Sequence, residues 1–326
     1  MEDLKWGIIG CGDVTEVKSG PAFQKVPHST VVAVMRRNAE KAADYAQRHG
    51  ISIWYTDADA LINDPNVNAI YVATPPDSHA DYAIRAMRAG KPVYVEKPMA
   101  LNIAECEAMN RVSRETGMPL FVAFYRRALP YFLKVKELID QKVIGDIRCV
   151  NVQLNWQPAD RELGEGTQPN WRVSPQISGG GLFHDLASHQ FDLLEFLLGP
   201  IQSASGISRN QAGLYEADDL VVATFAFESG VLGTGSWCFT VNPEQRMEQT
   251  QLIGSKGKIT FSFFENFIIV VDTETGSETI TAPFPDHVQQ PLIELIVNDL
   301  RGIAKSPSTG ETGARSSLIL DWITGS

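Results

Sequence analysis

Five continuous apolar runs, separated by polar stretches of helical length, occupy the first third of this chain and restrict its fold more than any other feature. The runs are 6–9, 31–35, 69–73, 92–95 and 120–124. Between them, 39–49, a stretch from Asp77 or Ser78 to about Ala89, and 103–116 read as helices, the first two ended by Gly50 and Gly90. A strand that is apolar at every position must be buried on both faces. Strands of that kind alternating with helices form a doubly wound parallel sheet, covered on both sides. The 326 residues suffice for about two domains, each with its own core.

The first run is closed by Gly10-Cys11-Gly12, which opens a G-x-G-x-x pattern at a strand-to-helix turn. Glycines there let the backbone approach a pyrophosphate that rests on a helix N-terminus. Thr15 stands where a third glycine is usual, so close helix–strand packing falls to a small, branched residue. A lone pattern of this kind is weak. Its place after a strand, before a helix and at the head of an alternating unit gives it meaning. Asp13 and Val14 beside the loop, Thr74 and Pro75 after the third run, and His79 beyond them are further candidate cofactor contacts. The end of the second run selects the cofactor, because an acid there bonds the ribose 2′-OH of NAD and an arginine accommodates the 2′-phosphate of NADP. The chain has Met35-Arg36-Arg37-Asn38, two cations and no acid. Cations at a helix start are mildly unfavourable with the helix dipole. Arg36 and Arg37 therefore read better as a phosphate clamp than as a solvated pair, and NADP is expected ahead of NAD.

Glu96-Lys97-Pro98 follows the fourth run, which puts Lys97 at the carboxyl end of a buried strand with Glu96 as a possible counter-charge. Lysine is rarely buried unless paired, and a solvated strand-end lysine is the plainer alternative. Further on, Gly179-Gly180-Gly181 feeds a helix running to about Leu198, with Asp185, His189 and Asp192 on one face. An acid one turn before a histidine can orient the imidazole for proton transfer near neutral pH. A lone helical histidine is more often a satisfied core or surface group. His184 and His189 do not share a face well, so no zinc pair is expected.

The net charge of -11 argues against nucleic acid or an anionic membrane as a partner, and no stretch is long and apolar enough to cross a bilayer. The first residues lead straight into a strand, without the charged and apolar regions of a secretory signal. Cys11, Cys106, Cys149 and Cys238 have neither metal nor disulfide spacing, which fits a reducing cytoplasm. After a helix at about 130–141, the second half turns to alternating segments at 147–157, 220–227, 231–240, 246–253, 258–263 and 267–272. They predict an open, mostly antiparallel sheet in an α+β domain. Val222, Phe225, Phe227, Leu232, Trp237, Phe239, Phe261, Phe263, Phe264 and Phe267 occupy both registers. One face can pack on helices. A second apolar face would exceed what monomers usually expose, so a homodimer or higher homo-oligomer joined face to face is expected, burying above roughly 2,000 Å² if obligate.

Gly7-Ile8-Ile9-Gly10-Cys11-Gly12, Glu96-Lys97-Pro98 and the triple glycine with Asp185 and His189 together resemble the Gfo/Idh/MocA family, the glucose-fructose oxidoreductase and inositol dehydrogenase group. The resemblance covers essentially the whole chain. It implies an N-terminal Rossmann domain (1–124) that binds the dinucleotide, and a C-terminal domain (125–326) for substrate binding and oligomerisation. Lys97, Asp185 and His189 match the family's catalytic residues, and the Lys97–Pro98 peptide is expected to be cis. Arg36, where many relatives carry an acid, is similar to the NADP-using branches such as 1,5-anhydrofructose reductase and dihydrodiol dehydrogenase. The expected reaction is hydride transfer between the nicotinamide and a carbonyl or hydroxyl carbon of a sugar, polyol or cyclic diol. Tyr125, Arg126, Trp156, Arg161, Trp171 and Arg172 are the candidate substrate wall. The alternatives are a regulator that binds the dinucleotide without turnover and an NAD-dependent glycoside hydrolase.

Overall fold

The computed structural model describes residues 2–163 and 170–325, the Arg161 side chain excepted. The chain packs as two compact units, Met1–Leu129 with Pro285–Ala314, and Pro130–Phe284 with Arg315–Ser326.

The first unit is built on β1 (Leu4–Ile9), α1 (Asp13–Val17), α2 (Gly20–Lys25), β2 (Ser29–Met35), α3 (Ala39–Arg48), β3 (Ile53–Tyr55), α4 (Ala58–Ile62), β4 (Ala69–Val72), α5 (His79–Arg88), β5 (Val93–Val95), α6 (Ile103–Thr116) and β6 (Leu120–Val122). Its six-stranded sheet has the order β3-β2-β1-β4-β5-β6, with every pair parallel. The order reverses between β1 and β4, where an open α/β sheet leaves a crevice at its strand ends. Ile9, Val72, Val95 and Val122 share one core with Met87, Cys106 and Met109 of α5 and α6. The expected five strands are present, and β3 with α4 is an addition. Only three residues long and carrying the exposed Trp54, β3 gives too short an apolar run to read.

The second unit contains α7 (Pro130–Asp140), β7 (Ile147–Asn155), α8 (Asp160–Leu163), α9 (Pro175–Ser178), α10 (Gly181–Leu198), β8 (Ile201–Arg209), β9 (Leu220–Phe227), β10 (Leu232–Cys238), β11 (Met247–Gly254), β12 (Gly257–Phe261), β13 (Ile268–Thr273) and β14 (Gly276–Thr281). The chain then forms α11 (Gln290–Leu300) and α12 (Gly310–Thr324). The eight strands order as β14-β13-β12-β11-β7-β10-β9-β8, antiparallel except for β7 with β10. One face packs on α10, where Phe191 meets Phe225 at 5.4 Å and Trp237 donates to Gln190 Oε1 at 2.6 Å.

The expectation of a second apolar face is corrected. Phe225, Phe227, Trp237, Phe239, Phe261 and Phe263 are all buried, and strict alternation puts short polar groups opposite them. Thr224, Thr234, Asn151, Gln251 and Thr260 face one another in register across five strands, with Thr234 donating to Asn151 Oδ1 at 2.9 Å. Exposed apolar side chains on the sheet are few: Ile207 and Val222 stand opposite each other across β8 and β9, and Leu232, Met247 and Ile268 lie on other strands.

Candidate active site

In the first unit the candidate cofactor residues converge on the ends of β1, β2, β4 and β5. Gly10 adopts φ +91°, and a Cβ there would meet Thr74 Cγ2 at 2.6 Å, so both dihedral and packing require glycine. A Cβ on Gly12 would meet only Gly10 O, at 3.9 Å, which leaves open space for a group to approach this backbone. Thr15, in place of a third glycine, closes the turn by accepting from Gly12 N–H at 3.0 Å and donating to its carbonyl at 2.7 Å. Cys11 is buried, and burial pushes its thiol up to about 11, so its contribution to the loop is through the backbone. That carbonyl accepts from Arg36 Nη1 at 3.1 Å, which brings the guanidinium back onto the glycine loop. Arg36 has no carboxylate partner among the described residues, and Arg37 beside it is exposed. Asp13 is exposed, Val14 partly so, and Thr74 and Pro75 are half-buried at the end of β4.

His79 behaves differently from the expectation. It is fully buried, with Nδ1 2.9 Å from Pro98 O and Nε2 2.7 Å from Thr74 O. Both neighbours are carbonyl oxygens, so the neutral ring donates its single N–H to one of them, and it packs between the ends of β4 and β5. Burial pulls its pKa below the ordinary value, against the two carbonyls.

Glu96 is 6% exposed and organises the turn that carries Lys97. Its Oε1 accepts from Tyr71 OH and from Gln289 Nε2, each at 2.6 Å, and its Oε2 accepts from Lys97 N–H at 3.2 Å. Tyr94 OH donates to Gln289 Oε1 at 2.8 Å. Lys97 is partly exposed, and the Lys97–Pro98 peptide is cis, as the resemblance implied. Tyr125 and Arg126 lie in a tight turn (Tyr125–Ala128) in this same unit, the guanidinium 5.0 Å from the ring centre.

In the second unit Asp185 and His189 are both buried on α10, one turn apart. Arg172 Nε lies 3.4 Å from Asp185 Oδ2 while its guanidinium stacks 4.4 Å over Trp171. His189 faces Phe264 edge-on at 6.3 Å, Phe264 in turn meets Trp156 at 5.7 Å, and Arg246 covers the other ring at 4.2 Å. Trp156, Trp171, Arg172, Asp185 and His189 are thus drawn into one neighbourhood. The Arg161 side chain lies outside the described residues. Phe264, read from sequence as a sheet residue, and Arg246, unread, both belong to this wall. Gln289 is likewise new, and no local pattern marks it.

A glycine turn at the switch point of a parallel sheet in one unit, and a buried Asp–His pair on a helix of the other, are features that a dinucleotide-dependent oxidoreductase requires. Residues 4–124 match the family described as oxidoreductases with an NAD-binding Rossmann fold, and residues 132–260 match the GFO/IDH/MocA C-terminal domain. The chain belongs to this family and is an oxidoreductase. An oxidoreductase of Formosa agariphila is 42% identical over 99% of this chain and 98% of its own length. The 1,5-anhydro-D-fructose reductase of Ensifer adhaerens is 28% identical over 72% of this chain and 69% of its own. A levoglucosan dehydrogenase solved with NADH and levoglucosan superposes with a TM-score of 0.86 at 22% identity, covering 98% of this chain and 96% of that one, which establishes the shared fold. No described helix is long and apolar enough to cross a membrane.

Proposed function

We propose that the protein is an NADP-dependent oxidoreductase acting on a carbinol or carbonyl carbon of a sugar, polyol or cyclic diol. The observation that carries the cofactor assignment is Arg36, a guanidinium without a carboxylate partner among the described residues, hydrogen-bonded to the glycine loop through Cys11 O. Gly12, with open space where a Cβ would be, fits the pyrophosphate, and Arg36 with Arg37 fits the 2′-phosphate. When bound, the nicotinamide supplies or accepts the hydride. Within this reading His189 removes the hydroxyl proton in oxidation and returns it in reduction. Lys97 donates a hydrogen bond to the reacting oxygen and stabilises negative charge developing there. Asp185 orients His189 or bonds a second hydroxyl, with Arg172 holding its carboxylate. Relatives named as acting on inositols, anhydro-sugars and dihydrodiols support this substrate class.

The test is a screen of sugars, polyols and cyclic diols with NADPH and NADP, together with binding titrations of both reduced cofactors. NADPH should bind at least about tenfold tighter than NADH, since a charge-assisted phosphate contact contributes about 1.5–3 kcal/mol. Arg36→Asp should narrow or reverse that preference. Equal dissociation constants in the unmodified protein would refute the clamp. Turnover of a glycoside with no net change in nicotinamide absorbance would refute the dehydrogenase assignment.

A further inference from the structure

The first turn of α10 carries a side chain that this chemistry does not use. His184 is 4% exposed, its Nδ1 lies against the Gly180 backbone, and its Nε2 has no hydrogen-bond partner among the described residues. An unpaired buried polar group of this kind costs about 1–3 kcal/mol, which a suitable ligand would offset. The ring lines a pocket of about 270 Å³ within the second unit, together with Gly180 and Phe183 of its own helix end, Ser208 of β8, and Glu216 and Asp218 of the β8–β9 loop. Successive residues turn by about 100° around a helix, so His184 faces a different side of α10 from Asp185 and His189.

The chemistry of the walls selects the ligand. Two carboxylates face the space, and no lysine or arginine lines it among the described residues. Glu216 Oε1 accepts from Gln176 at 3.0 Å and one oxygen of Asp218 accepts from Ser208, so each carboxylate keeps an oxygen to spare. The nearest cation in sequence, the exposed Arg209, donates to Ser208 O at 2.7 Å and is not part of the lining. An anion would meet only like charge. A metal ion does not fit either, because the described residues hold no cluster of three or more ligating side chains. We propose that this pocket binds a small organic ammonium ion, whose N–H groups donate to His184 and to the Glu216 and Asp218 carboxylates. Burial holds the His184 pKa down to about 4, so the ring is neutral near pH 7 and has a lone pair to accept such a bond.

Binding is measured directly and does not depend on the catalytic reading. Calorimetric titration of the full chain with 1,4-diaminobutane should give saturable one-to-one binding, while 1,4-butanediol at matched ionic strength should give none. Glu216→Gln with Asp218→Asn, and separately His184→Leu, should each weaken the diamine at least about tenfold. The carboxylate pair is at the pocket surface, so its double variant remains a test if His184→Leu fails to fold. Equal affinity for the diol would make this a polyol site and overturn the charge argument. Unchanged diamine affinity in the double variant, or no saturable binding to the unmodified protein at millimolar diamine, would overturn the site itself.

Discussion

Replacing Gln289 with leucine should destabilise the dinucleotide-binding unit out of proportion to the small change in volume. Gln289 is fully buried and spends both ends of its amide on the turn before Lys97. Its Nε2 donates to Glu96 Oε1 at 2.6 Å, and its Oε1 accepts from Tyr94 OH at 2.8 Å. The leucine removes a hydrogen bond to a carboxylate, about 1.5–3 kcal/mol, and strands a buried tyrosine hydroxyl at about 1–3 kcal/mol. The expected loss is therefore about 2.5–6 kcal/mol. Tyr94→Phe removes the stranded donor, so in the double variant part of the second cost should disappear. Urea unfolding followed by circular dichroism gives each value from the shift in midpoint at unchanged slope. A loss below about 1 kcal/mol for Gln289→Leu would refute the reasoning. So would a double variant whose loss equals the sum of the two single losses to within about 0.5 kcal/mol, since groups in one buried network must couple.

Lys97→Met and His189→Asn should each lower turnover at least about a hundredfold while NADPH still binds, and near-normal kcat in either variant would remove that residue from the mechanism. His184, held down from its ordinary 6.5 to about 4, makes stability fall on acidification, because between those pH values the unfolded chain takes up a proton that the folded ring refuses. That contribution is undiminished above pH 6.5 and costs ~2 kcal/mol by pH 5; His184→Leu should flatten the drop in urea midpoint between pH 7 and 5, and an unchanged drop would refute it. We propose that two copies meet through the open face of the eight-stranded sheet, as a wet contact over the polar row at Thr234 and Asn151 and not the apolar one that the sequence predicts. Sedimentation at micromolar concentration should give twice 35.9 kDa, and a single species at 35.9 kDa would sink the dimer.

What could be read from the sequence was what is written locally. The glycine turn, the strand-end Lys97 and the Asp185–His189 spacing each lie within a few residues, and every strand of the parallel sheet except the short, half-exposed β3 announces itself by needing apolar residues on both faces. The strands that escaped notice are exposed ones. β8 and β14 edge the second sheet, and Ser, Thr and Glu dominate their open positions, so neither shows a clean apolar alternation. The apolar residues of β9 to β13 are plain in the sequence but their faces are not, because Phe264 and Phe267 lie in the turn between β12 and β13, where the count of two no longer applies.

The larger omission was Pro285–Ala314, which returns to the first unit although the sequence division at 124 assigns it to the second. Nothing in its pattern states a destination, because an amphipathic helix such as α11 records only that one side is buried. Its purpose becomes visible through long-range bonds. Gln289 reaches Glu96 across 193 residues, and its N–H bonds Lys18 O at 3.3 Å, beside the His287 bond to Val17 O at 2.7 Å. The end of the glycine-loop helix and the turn before Lys97 are therefore fixed to one and the same segment. The turn that carries Lys97 is thus built from three separated pieces of chain, and the Glu96-Lys97-Pro98 motif marks the lysine without marking what holds its turn.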